Sequence, residues 1–120
     1  MLPFENDHPM QQVSDYLKQN EISTIYSHWN FGEKIAIASD FDIRVGFWDY
    51  SMDVFNSVKY LCDPSIFDAD IANCAYVVSG KETFNKATEV AEKRGACLQF
   101  MNHFPELDVF IFTSDQKLMN

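Results

Sequence analysis

Residues 74–95 constrain the fold most, because they read as a buried strand followed at once by a capped helix. The segment 74–78, CAYVV, is a run of five apolar or small residues. Such a run is typical of a strand that is covered on both faces of its sheet. Ser79 and Glu82 have the spacing of a capping box for a helix over 80–94, and Gly95 is typical of a helix end. This order predicts an α/β domain with 74–78 as a central strand.

The rest of the chain alternates between strand-like and helix-like runs. Residues 30–39 fit both, because Ile35 and Ile37 alternate as in a strand, but alanine-rich sequence favours a helix. The segment 102–106, NHFPE, has the composition of a turn between the last two strands. The order α-β-α-β-α-β-α-β-β predicts a small mainly parallel sheet with helices on both faces and a C-terminal antiparallel hairpin. The predicted helices are 8–19, 30–39, 53–62 and 80–94, and the predicted strands are 22–27, 43–48, 74–78, 97–102 and 107–113.

Length and charge narrow the classes of function. The chain has 120 residues, enough for one domain with its own core, and a formal net charge of -9. An acidic surface without a cluster of Lys or Arg repels phosphate backbones, so nucleic acid is not an expected partner. No apolar run approaches the ~18 residues that a membrane-spanning helix needs, and the first residues lack the features of a signal peptide. We therefore expect residues 1–120 to form a single soluble domain.

Residue types that carry catalysis or bind metals are present, but their spacing predicts no site. The odd number of cysteines and the lack of a C-x-x-C pair indicate neither a disulfide framework nor a zinc site. The three histidines are far apart, and none has a second metal ligand at helical or strand spacing. Gly80-Lys81 opens a helix after a strand, but the rest of the phosphate-loop pattern is absent. No catalytic residue, metal or cofactor is predicted.

Aromatic residues gather instead around the ends of the first two predicted strands. If these strands are parallel neighbours, their carboxyl ends form a crevice of the kind in which α/β sheets bind ligands. Trp and Tyr rings can stack there on a sugar while polar neighbours hydrogen-bond its hydroxyls, although large aromatics more often belong to the core. The candidate ligand-binding residues are Tyr26, His28, Trp29, Asn30, Glu33, Trp48 and Tyr50.

Three stretches, 13–49, 76–95 and 108–115, carry a resemblance to a known family. Their common features are a helix that ends in Tyr-Leu-Lys, a strand with a Tyr-x-x-Trp ending, a Tyr-Val-Val strand and a short aromatic last strand. This pattern resembles the soluble C-terminal domain of bacterial polytopic membrane glycosyltransferases similar to the dolichyl-phosphate-mannose-protein mannosyltransferase type. The features fall on Tyr16-Leu17-Lys18, Tyr26, Trp29, Ala75-Tyr76-Val77-Val78 and Val109-Phe110-Ile111-Phe112.

The resemblance implies a non-catalytic accessory domain on the extracytoplasmic side of a cell-envelope membrane glycosyltransferase. In that family the residues that transfer the sugar lie in the membrane portion, so none of them is carried over to this chain. The implied partners are the membrane portion of the same polypeptide, or a membrane partner, and a glycan or acceptor. On this reading the domain is excised from, or appended to, a membrane protein. The alternative is a free-standing binding or protein-interaction module without enzymatic activity.

Overall fold

The computed structural model describes residues 9–40, 42–48 and 73–118. Within them, three helices are interspersed among five strands, the last two of which are consecutive, so the domain is α/β. The elements are α1 (Pro9–Gln19), β1 (Thr24–His28), α2 (Trp29–Ala38), β2 (Arg44–Trp48), β3 (Cys74–Ser79), α3 (Lys81–Lys93), β4 (Leu98–Phe104) and β5 (Val109–Ser114).

The strands of the described residues form one five-stranded sheet in the order β2-β1-β3-β5-β4. β1 pairs in parallel with both β2 and β3. β5 pairs antiparallel with β3 on one side and with β4 on the other. The sheet is therefore mixed rather than mainly parallel, because β5, which lies between β3 and β4, runs antiparallel to both of them. The predicted C-terminal antiparallel hairpin and the central position of β3 are both confirmed.

The two faces of the sheet are covered by different helices. On one face, buried side chains of the sheet pack with Ala87 and Ala91 of α3. On the other face, they pack with Val13 and Leu17 of α1 and with Ile35 of α2. Successive strand residues point to opposite faces, so the unbroken apolar run of β3 supplies both clusters, Tyr76 to the first and Val77 to the second. The expectation of helices on both faces is confirmed.

Most predicted elements coincide with observed ones. Of the two structures that the sequence of 30–39 fits, helix and strand, the helix is observed, since α2 occupies Trp29–Ala38. The predicted turn at 102–106 is wrong in its first half, because β4 continues through Phe104 and the turn follows it. The predicted helix over 53–62 lies outside the described residues.

The capping of α3 differs from the prediction at its start. Gly80, not Ser79, is the N-cap residue, and no side chain caps the helix. Gly80 has φ +87 and its amide donates to the Asp108 carbonyl at 2.8 Å, so a contact with the hairpin sets the entry into the helix. The helix end follows the prediction. Gly95 has φ +75, and the next amide, that of Ala96, donates back to the Ala91 carbonyl at 2.9 Å.

The C-terminal segment is bound to the face covered by α3. Leu118 is buried in that cluster. Its amide donates to the Tyr76 hydroxyl at 3.1 Å, and its carbonyl accepts a hydrogen bond from the Arg94 guanidinium. Through Leu118, the end of the described chain is therefore hydrogen-bonded both to β3 and to the C-terminal end of α3.

Candidate functional site

The carboxyl ends of β1, β2 and β3 lie at one edge of the sheet, because these three strands are parallel. The register places His28 opposite Trp48 at that edge. Trp29, Asn30 and Glu33 follow in the first two turns of α2. The condition set in the sequence analysis, that the strands over 22–27 and 43–48 are parallel neighbours, is met by β1 and β2. Tyr50 lies outside the described residues.

The chain connections create a topological switch point at this edge. From β1 the chain passes through α2 to β2 on one side, whereas β3 lies on the other side of β1. α2 and α3, which follow β1 and β3, pack on opposite faces of the sheet. Helices that leave neighbouring strands in opposite directions open a crevice between the carboxyl ends of those strands. This topology favours a crevice between the ends of β1 and β3, whereas the sequence predicted it between β1 and β2.

Ser79 and Gly80 lie at the carboxyl end of β3. In the sequence, Ser79 and Gly80 belong to the segment that matches only a small part of the phosphate-loop pattern. The structure adds Asp108, since a Cβ placed on Gly80 would lie 3.9 Å from Asp108 Oδ2. An acidic oxygen beside the start of α3 makes this position unfavourable for a phosphate, because like charges repel.

The Tyr26 side chain belongs to the core on the face of the sheet that α3 covers. It is 4% exposed, its hydroxyl lies 3.6 Å from Cys74 Sγ, and its ring centroid is 5.3 Å from that of Tyr76. Burial raises the pKa of the Tyr26 hydroxyl well above its usual range, with the neighbouring Cys74 adding to the effect. Burial also raises the pKa of Tyr76 to about 12. Of the two roles considered for Tyr26, ligand binding and core packing, the structure shows core packing. Ligand binding by the other six candidate residues stays a prediction.

A histidine and a carboxylate that the sequence does not link meet at the same end of the sheet. His103 Nε2 lies 3.2 Å from Asp108 Oδ1 across the β4–β5 turn, and both side chains are partly exposed. The His103 ring stacks on Phe110 with centroids 4.0 Å apart. The pair can exchange hydrogen bonds with a polar ligand. The sequence gives little indication of this pair, because the composition of 102–106 indicates a turn, whereas 102–104 are the last residues of β4.

Metal binding has no support in the described part of the chain. Within it, no group of three or more His, Cys, Asp or Glu side chains is arranged to hold a metal ion. We therefore expect thermal unfolding curves recorded with and without EDTA to coincide, as followed by circular dichroism. A melting temperature that falls by more than a few degrees with EDTA, and recovers when Zn²⁺ or Ca²⁺ is returned, would contradict this expectation.

The chain matches no family model, no curated protein and no solved structure. Among the helices of the described residues, none combines the length and the apolar character needed to cross a bilayer.

Proposed function

We propose that this chain is a non-catalytic accessory domain of a cell-envelope membrane glycosyltransferase. Its role is to bind a glycan or acceptor at the carboxyl edge of the sheet, on the extracytoplasmic side of the membrane. The parent enzyme uses a lipid-phosphate-linked sugar, and the membrane portion of the same polypeptide, or a membrane partner, carries the catalysis. The resemblance over 13–49, 76–95 and 108–115 supports the link to this enzyme class.

The switch point between β1 and β3 is the observation that carries the binding part of the proposal. It coincides with His28, Trp29 and Asn30, the residues at which β1 passes into α2. Tryptophan offers a flat apolar surface with a polar edge, which suits the face of a sugar ring. Imidazole and amide groups can donate and accept hydrogen bonds, which suits the sugar hydroxyls. A free-standing binding module would use the same edge, so the reading frame upstream of Met1 separates the two versions: several apolar spans there favour the membrane enzyme.

The finer arrangement of the fold belongs to the same proposal. It is the element order α-β-α-β-α-β-α-β-β, in which the helix over 53–62 stays a prediction because these residues lie outside the described ranges.

Replacement of Trp29 by alanine tests the binding role. If Trp29 lies at a ligand site, Trp29→Ala should lower the free energy of unfolding by less than about 1 kcal/mol, the range of surface substitutions. The same change should abolish any calorimetric heat of binding to mannotriose or chitotriose. Ile37→Ala, on the same helix and 60% exposed, is the matched control and should leave both properties unchanged.

The opposite result defines Trp29 as a core residue. In that case Trp29→Ala should cost about 3–5 kcal/mol of stability, as for other buried large aromatics. A loss of this size, together with no heat of binding from the wild-type protein, would contradict the proposed glycan site.

A further inference from the structure

The outer edge of β4 is open in the described part of the chain. Within the described part of the chain, β4 is the last strand of the sheet on its side and has only β5 as a neighbour. Its sequence, LQFMNHF, contains no Lys, Arg, Asp, Glu or Pro. Those are the residues with which proteins commonly protect exposed sheet edges against association. Although the chain has a net charge of -9, no Lys, Arg, Asp or Glu side chain of β4 protects this edge from pairing with another strand.

Backbone hydrogen bonds locate the open part of the edge. The Cys97 carbonyl accepts the Asp115 amide at 3.2 Å, and the Cys97 amide donates to the Asp115 carboxylate at 2.8 Å. Bonded positions alternate along an antiparallel strand, so Gln99 faces β5 in the same way. The amide and carbonyl groups of Leu98 and Phe100 therefore point away from β5.

The second half of β4 is closed to pairing. The register shifts between Phe100 and Asn102, which marks a bulge at Met101. Beyond the bulge, the amide of His103 donates to the Asn102 side-chain oxygen at 2.8 Å. The outward-pointing amide of His103 is thus already hydrogen-bonded within its own strand. The open segment is therefore limited to Leu98–Phe100.

Exposed apolar surface coincides with the open segment. Phe100 is 53% exposed although its ring packs edge-on against Phe84 with centroids 6.0 Å apart. Leu98 lies two residues earlier on the same face and is partly buried against the same cluster. A strand added at this edge covers Leu98 and Phe100 and bonds their backbone groups in one step.

We propose that this edge pairs with a second copy of the chain, with Gln99 on a two-fold axis. In this arrangement Leu98 of one copy lies opposite Phe100 of the other, and each such pair exchanges both of its N–H···O bonds. The two apolar cross-strand pairs form by symmetry.

The symmetry of the segment is the reason for choosing a second copy over an unrelated peptide. When two copies of Leu98–Phe100 run in opposite directions, each supplies the donors and acceptors that the other needs. Each also supplies an apolar side chain opposite an apolar side chain of the other. A contact this short buries less than the ~1,000 Å² of a stable interface, so the dimer is weak. Because both copies are acidic, added salt screens their repulsion and strengthens the dimer.

Sedimentation equilibrium tests the proposal. Between about 10 μM and about 1 mM protein, we expect a monomer–dimer equilibrium that tightens as NaCl rises from about 20 mM to about 500 mM. Phe100→Lys places two ammonium groups at the interface and should weaken association about tenfold or more. Ile37→Lys, which adds the same charge at an exposed position of α2, should not weaken it. A monomer throughout this range, or equal association by the two variants, would overturn the proposal.

Cross-linking tests the register independently of any effect on folding. Gln99→Cys in a Cys97→Ser background places two thiols opposite each other across the axis at a Cβ separation of about 4.5–5.5 Å. Mild oxidation should convert this variant to a disulfide-linked dimer. Lys86→Cys in the same background, an exposed position on α3, measures random cross-linking. A dimer yield at Gln99→Cys no higher than at Lys86→Cys would exclude the proposed register.

Discussion

Val77→Asp should leave the domain largely unfolded in dilute buffer. Val77 is 1% exposed, lies in the middle of the central strand β3 and is flanked by Ser27 of β1 and Ile111 of β5. Its side chain packs in the cluster covered by α1 and α2. An aspartate there is either ionised without a partner or forced to bind a proton, and both cost several kcal/mol. That is a large part of the roughly 5–15 kcal/mol by which a domain is stable.

Urea unfolding followed by circular dichroism measures this effect, and two variants separate its causes. Val77→Ala removes volume without adding charge and should cost about 1–3 kcal/mol. Ile37→Asp adds the same carboxylate at an exposed position and should stay within about 0.5 kcal/mol of the wild type. Near-wild-type stability of Val77→Asp would show that β3 is not buried on this face.

Phe112→Ala should cost about 3–5 kcal/mol, the range for a buried large aromatic cut back to alanine. Phe112 of β5 is 0% exposed and packs between the helix and the sheet on the face of α3. Its ring stacks on Tyr76 with centroids 5.3 Å apart and meets Phe84 edge-on at 5.7 Å. The substitution therefore opens a cavity between β3, β5 and α3 that the surrounding rings can only partly close.

Phe100→Ala is the matched control, because it is the same substitution on the strand paired with β5. Phe100 lies opposite Phe112 in the β4–β5 register but is half exposed, so its truncation should cost less than about 1 kcal/mol. The two variants can be compared by urea unfolding at a protein concentration low enough to prevent association. Equal losses would show that the outer edge of the sheet is as buried as its centre.

Local sequence patterns predicted the helices and strands because each pattern reflects burial of nearby residues. Five consecutive apolar or small residues predicted β3, and helical spacing with Gly95 at the end predicted α3. The sheet order was less accessible. β5 lies between β3 and β4, and this pairing depends on contacts between distant residues that no local period records. The N-cap residue of α3 was predicted wrongly for the same reason, since the Gly80 amide donates to the carbonyl of Asp108 in the distant hairpin.

The candidate site was predictable in part. The parallel register of β1 and β2 brings His28 and Trp48 to one edge, as strand spacing and the α-β alternation indicated. The alternation did not reveal on which side β3 pairs with β1, so the switch point between β1 and β3 was not accessible from the sequence. Tyr26 was assigned to a strand end, but β1 continues through His28, and the ring belongs to the face under α3. His103 and Asp108 meet only because the hairpin brings them together.

Amide chemical-shift mapping tests the binding claim most directly. Mannotriose or chitotriose is titrated into the ¹⁵N-labelled domain, and the shift of each backbone amide is followed at a fixed protein concentration below the onset of association. The proposal predicts saturable shifts confined to the carboxyl edge of the sheet, at 28–30 and 79–81, with the amides of 98–100 unchanged. Saturable shifts elsewhere in the domain, or no shifts with any envelope oligosaccharide, would contradict a glycan site at the β1–β3 switch point.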